Sequence, residues 1–243
     1  MKKLFLIFFS TCFINLFAQE NKLNAFFVDY TFQVPQLNLK ESFGANSAIG
    51  ISYILEKNNN IFFGVELDYM FGNNIKDSTV LSMISTENGS IIASDGGFAN
   101  VLLYQRGFNS HAFIGYAFHL QENQKSGLYI STGLGYLEHK IRIETRNEDL
   151  PQLSDEYKKG YDRFTNGLSS KTAIDYIYIS KKGNFQFLVG YEIIYAFTKN
   201  RRDYLFNEMQ YTDKDLRKDV LLGFRAGVII PINRKNSGEF HYF

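Results

Sequence analysis

The sequence has one cysteine, Cys12, and only three prolines, and beyond its first residues it has no apolar run of the roughly 20 residues that a membrane-spanning helix requires. Each shortage removes a class of protein. Cys12 falls in a segment that reads as an export signal, so the processed chain holds no thiol, which excludes disulfide scaffolds and cysteine-based zinc sites. Few prolines leave the backbone free to donate into strand ladders over long stretches. An excess of one charge is missing too: 26 basic and 25 acidic side chains give a formal net charge of +1, and nothing in that balance steers the chain toward nucleic acid. If the processed chain enters a membrane it must do so as a closed barrel, which satisfies its backbone polar groups in hydrocarbon without helices.

Lys2 and Lys3 precede an apolar stretch at 4–17, and Ala18 offers a small residue for cleavage, so 1–18 is expected to be a removed signal peptide and the mature chain to begin near Gln19. Ser10, Thr11 and Asn15 interrupt the stretch, which is too short to persist as an anchor. Phe9, Ser10 and Thr11 make a poor lipidation signal in front of Cys12.

What is abundant is aromatic or small: 24 Phe, 16 Tyr and 19 Gly, and the large apolar residues alternate. In 185–198, Phe185, Phe187, Val189, Tyr191, Ile193, Tyr195 and Phe197 share one face, against Gln186, Gly190, Glu192, Ala196 and Thr198. In 220–232 the even positions from Val220 to Ile232 oppose Gly223, Arg225 and Gly227, and in 61–72 the odd positions from Ile61 to Phe71 oppose Gly64, Glu66, Asp68 and Gly72. Less regular segments at 26–34, 49–55, 108–118, 128–136 and 168–178 bring the strands to eight. Links are short at 57–59, 120–125 and 181–184 and long at 35–46, 73–103, 145–163 and 199–218. Long first and long last is the order of an even-stranded barrel with both termini in the periplasm. The expected fold is all-β: an eight-stranded antiparallel up-and-down transmembrane β-barrel over 19–232, with short periplasmic turns, long extracellular loops and a periplasmic tail at 233–243. A soluble lipocalin-like barrel or a β-sandwich shares the alternation but needs a charged exterior. Here the second face is rich in Gly, Ala and Ser with scattered charges, and such small residues suit the inside of a narrow barrel.

With the apolar rows toward lipid, Asp29, Glu66, Asp68, His111, Lys171, Asp175, Glu192 and Arg225 share the interior, where charges must be paired or hydrated. The expectation is a hydrogen-bonded plug rather than a conducting pore, because eight strands leave an interior that side chains nearly fill. Catalysis is not expected. Among His111, His119, His139 and His241, His111 adjoins Ser110, but neighbouring strand residues point to opposite faces and cannot form a nucleophile and base pair. No His and carboxylate grouping has ligand spacing, so neither metal nor cofactor is expected.

The long loops are the candidates for recognition. Tyr157, Lys158, Lys159, Tyr161, Asp162 and Arg163 crowd into 157–164, and Arg201, Arg202, Asp203 and Tyr204 into 200–204. Arg and Tyr favour protein interfaces, and Arg also suits lipopolysaccharide phosphates. Two solvated loops bracing one another would account for the same residues. The stretch 73–103, with Gly89, Gly96 and Gly97, is expected to form a projecting hairpin or a lid.

The segment order, with E-H-K-I-R-I-E at 138–144, P-Q-L followed by Y-K-K-G-Y-D-R-F-T-N-G within 151–167, N-R-R-D-Y at 200–204 and I-I-P-I at 229–232, resembles a family of small outer-membrane proteins of Bacteroidota. In architecture the barrel is similar to the OmpA and OmpX class and to PorT-like barrels linked to type IX secretion. The resemblance implies an outer-membrane location, outer-membrane lipid and lipopolysaccharide as surroundings, and a structural or accessory role beside larger secretion or assembly machinery. A lipid-modifying enzyme or a surface adhesin is the alternative. Members of this class often end on a terminal aromatic, whereas here 233–243 follows the last strand and closes with F-H-Y-F.

Overall fold

The computed structural model describes residues 21–120, 125–146, 149–180 and 186–232. The signal at 1–18, the tail at 233–243 with His241, and the turn at 181–184 lie outside the described residues. Eight strands form a closed antiparallel barrel: β1 (Asn21–Leu37), β2 (Asn46–Lys57), β3 (Ile61–Gly72), β4 (Val101–His119), β5 (Gly127–Thr145), β6 (Thr165–Ile179), β7 (Gln186–Asn200) and β8 (Arg217–Pro231). Each strand pairs with its neighbours in sequence, and β1 with β8 closes the ring from Ala25↔Pro231 to Leu37↔Asp219.

Over the middle of the barrel the expected polarity holds. Tyr191 and Leu134 are 68% and 75% exposed on the outside, while Glu192 and Lys171 are buried within. Aromatic pairs ring the belt at both borders, with Phe26–Tyr53 and Tyr178–Phe187 toward the short turns and Tyr69–Phe71 and Tyr195–Phe197 toward the long loops. The outward row of β7 from Phe187 to Phe197 spans ten residue steps, about 25 Å of height at the usual strand rise and tilt, which matches a bilayer's apolar band. An exterior of this kind is stable only under hydrocarbon, and the barrel is a membrane-spanning one.

The strands run further toward the long-loop end than the apolar rows do. On β5, Leu137, His139, Ile141 and Ile143 are buried while Lys140, Arg142 and Glu144 are exposed. The alternation has changed phase: below it is apolar outside and polar inside, and above it is charged outside and apolar inside. This second storey is a water-facing barrel stacked on the lipid-facing one. It is why β4 and β5 reach Val101 and Thr145, well past the ends at 108 and 136 that the lipid pattern implies.

The inside also departs from expectation. Small residues do not line it alone: Phe27, Phe62 and Tyr129 fill the short-turn end with Leu23, Ile177 and Leu188, and Met70, Leu137 and Ile194 help to fill the other. Bulk fits because glycines receive it, with the ring of Phe62 lying over Gly115 and that of Phe113 over Gly64. The charges form a layer between two apolar plugs.

Candidate functional site

The middle layer is built by parity and register. Asp29, Glu66, Asp68, His111, Lys171, Asp175, Glu192 and Arg225 all turn inward and are all buried. Glycines lie beside the acids on adjacent strands, Gly50 opposite Asp68, Gly190 opposite Asp175 and Gly223 opposite Glu192, leaving room for the carboxylates. Arg225 places Nη2 3.1 Å from Asp29 Oδ1 and Nη1 3.2 Å from Glu66 Oε2, with Asp175 at 3.6 Å and Glu192 at 3.7 Å. Lys171 Nζ bridges Glu66 and Glu192, the latter at 2.5 Å. Asp68 stands two residues along the inward face from Glu66. Thr31 donates to Asp29 and Gln33 to Glu192, neither foreseen as part of the layer.

His111 has a hydroxyl partner after all, because Ser169 of β6 reaches it over Gly135 of the intervening β5, with Nε2 and Oγ 2.9 Å apart. Ser110 lies on the opposite face of its strand, and the hydroxyl partner comes from 58 positions away on another strand, where alternation along one strand gives no sign of it. Glu66 Oε1 is 3.9 Å from His111 Nδ1, too far for a hydrogen bond. Hydroxyl, imidazole and carboxylate are thus in rough sequence, in a layer with apolar plugs above and below it. The cavity beside Lys171, Arg225 and Phe62 measures about 10 Å³, room for one water at most.

Two further buried groups lock the ends. His119 and Tyr129 meet Glu56 at 2.6 and 2.8 Å near the short turns. His139 and Thr198 meet Asp219 at 3.0 and 2.5 Å in the upper storey. Neither was legible as a site, since each joins residues from separate strands.

Above the upper storey the long loops make one cap. The stretch 73–100 folds inward as a lid, burying Val80, Leu81 and Ile91 in the upper apolar plug with Leu39 and Phe43 of 38–45 and Leu150 and Leu153 of 146–164. Arg163 ties three loops together through Asp77 at 2.8 Å and Glu208 at 3.0 Å. Arg202 holds Asp162 with two nitrogens, at 2.8 and 2.5 Å, and lies 5.0 Å from the Phe164 ring. The hydrogen bonds that Arg202 donates to the Asp162 carboxylate raise its pKa above the ordinary value. Phe206 sits on Gly160 and is edged by Tyr161 and Tyr204. Tyr161, Asp162, Arg163, Arg202 and Tyr204 therefore brace the cap from within. Tyr157, Lys159, Arg201 and Asp203 stay exposed, and Lys158 pairs with Asp155 at 3.3 Å. An open groove of about 460 Å³ runs between Pro151, Gln152, Tyr157, Tyr161 and Phe206.

No family model and no curated protein matches this chain. Solved structures do. Neisserial surface protein A is similar at 15% identity over 86% of this chain and 97% of its own, with a TM-score of 0.41. Ail, the attachment invasion locus protein of Yersinia pestis, crystallised with the heparin analogue sucrose octasulfate, is similar at 11% identity over 87% of this chain and all of its own, with a TM-score of 0.40. The outer membrane protein OprG from Pseudomonas aeruginosa is similar at 11% identity over 87% and 95% of the two chains, with a TM-score of 0.36.

Proposed function

We propose that this chain is an exported outer-membrane protein whose barrel is a sealed anchor and whose cap docks onto a larger secretion or assembly complex as an accessory component. One observation carries the reading: the interior is closed at three levels, while the loops are bound into a single platform with aromatic and basic side chains outward. A barrel filled in this way moves no solute, which leaves its surfaces to act, and rigid platforms lose little freedom on binding. The accessory role rests on the sequence resemblance to small outer-membrane proteins of Bacteroidota and to PorT-like barrels. A photo-crosslinking residue at Tyr157, Lys159 or Tyr211 in living cells should yield one discrete adduct that co-purifies at fixed stoichiometry. A chain that purifies alone, with every cap position free of adducts, defeats the proposal.

The pairing of His111 with Ser169 favours a lipid-modifying enzyme as the second reading. If that reading held, Ser169→Ala would abolish lipid hydrolysis by the purified barrel. On the accessory reading there is no such activity to lose. Export through a signal at 1–18 is checked by sequencing the N-terminus of the membrane-extracted protein, expected near Gln19.

A further inference from the structure

At the level where the exterior stops being apolar, four of the five strands from β4 to β8 carry an outward cation, and the loop after β7 supplies one more. Arg106 on β4 and Lys140 on β5 are direct cross-strand partners. On β8, Lys218 is paired with Phe197, two residues below Lys199 on the same face of β7, so the two lysines are diagonal neighbours. Arg201 donates to Asn166 of β6 at 2.5 Å, bringing a fifth cation between the two pairs. Lys140, Lys199 and Lys218 are exposed, and among the described residues none makes an ion pair. Glu138 is the acid nearest this row on the outward face. The rest of the ring presents Gln36, Ser47 and Phe71 at the corresponding ends of β1, β2 and β3, so the basic row covers one side.

Like charges directly opposed on a sheet repel. Such a row is stable when an anion lies along it, and below it the outward side chains Phe108, Leu168, Phe197 and Val220, with Tyr136 beneath Glu138 on β5, form the apolar belt. A ligand matching both halves has phosphates at the height of the cations and acyl chains running down the belt. We infer that the β4–β8 wall binds a phosphorylated outer-leaflet lipid, with Arg106 and Lys140 on one phosphate and Lys199, Lys218 and Arg201 on another. The inference rests on the membrane-spanning reading and goes beyond it in naming the lipid class and the side of the barrel that takes it.

The test is titration of the full chain in neutral detergent with fluorescent diphosphorylated lipid A, its dephosphorylated form, and inorganic phosphate as competitor. Wild type should prefer the diphosphorylated lipid. Lys199→Gln with Lys218→Gln should weaken its binding by about 25-fold, roughly fivefold for each cation near the surface. Lys159→Gln with Lys214→Gln in the cap should leave it unchanged. Raising salt tenfold on wild type should weaken binding at least several-fold, a measurement that needs no variant to fold. Equal affinity for the two lipids, a flat salt dependence, or complete displacement by millimolar phosphate overturns the inference. A chain that stays folded without detergent overturns the membrane reading itself, whereas one that needs detergent but ignores phosphorylation overturns this inference alone.

Discussion

Arg225 faces four carboxylates within 3.7 Å, and its removal leaves Glu66 and Glu192 on Lys171 and takes from Asp29 and Asp175 the cation they pair with. Arg225→Leu is expected to cost about 3–5 kcal/mol, the usual penalty for breaking a buried ionic group on one side. Arg225→Lys should cost less, since a point charge keeps the neutralisation and loses the forked hydrogen bonds. Urea midpoints of the variants refolded into lipid vesicles measure both, and a midpoint equal to wild type for Leu would show that the layer is not a plug. At this scale the inward residues were legible in the sequence, because parity along a strand decides which face a side chain takes. Their partners were not. Ser169 meets His111, and Glu56 meets His119, only after strands distant in sequence are staggered into a ring, and no alternation pattern encodes that stagger.

Each strand spans two solvents, and the change of phase on β5 marks where one gives way to the other. Leu134→Arg, at 75% exposure in the lipid belt, is expected to cost about 2–4 kcal/mol in vesicles. Arg142→Ala, outward in the upper storey, should stay within roughly 0.5 kcal/mol of wild type. Ile141→Ala, one residue away but inward, should cost about 2–5 kcal/mol through the cavity it leaves. Equilibrium unfolding in vesicles orders the three, and a neutral Leu134→Arg would refute the lipid-facing assignment. The lipid-facing parts of the strands were readable because one rule held for up to seven alternating positions. The motif at 138–144 was visible only as a resemblance, since a strand whose rule inverts midway satisfies neither pattern over its whole length.

Taken whole, the molecule is stoppered by two apolar plugs around a charged layer and covered by a cap, so planar-bilayer recordings should show no steady conductance. Asp162→Ala releases Arg202 and should quicken proteolysis within 146–164 several-fold while the barrel keeps its heat-dependent gel mobility. It should open no pore, since Phe62 and Tyr129 still block the far end. The lengths of the loops were legible, but their mutual bracing was not, because Asp77, Arg163 and Glu208 come from three loops that the sequence keeps apart. The ring itself closes where β8 meets β1, between segments separated by most of the chain. Arg225 arrives on that final strand, so an incomplete sheet confronts Asp29, Glu66, Asp175 and Glu192 with no guanidinium among them. A sheet that stopped at β7 would keep Lys171 between Glu66 and Glu192 but leave Asp29 and Asp175 without their cation, so the strand that sews the hoop shut also carries the charge its middle requires.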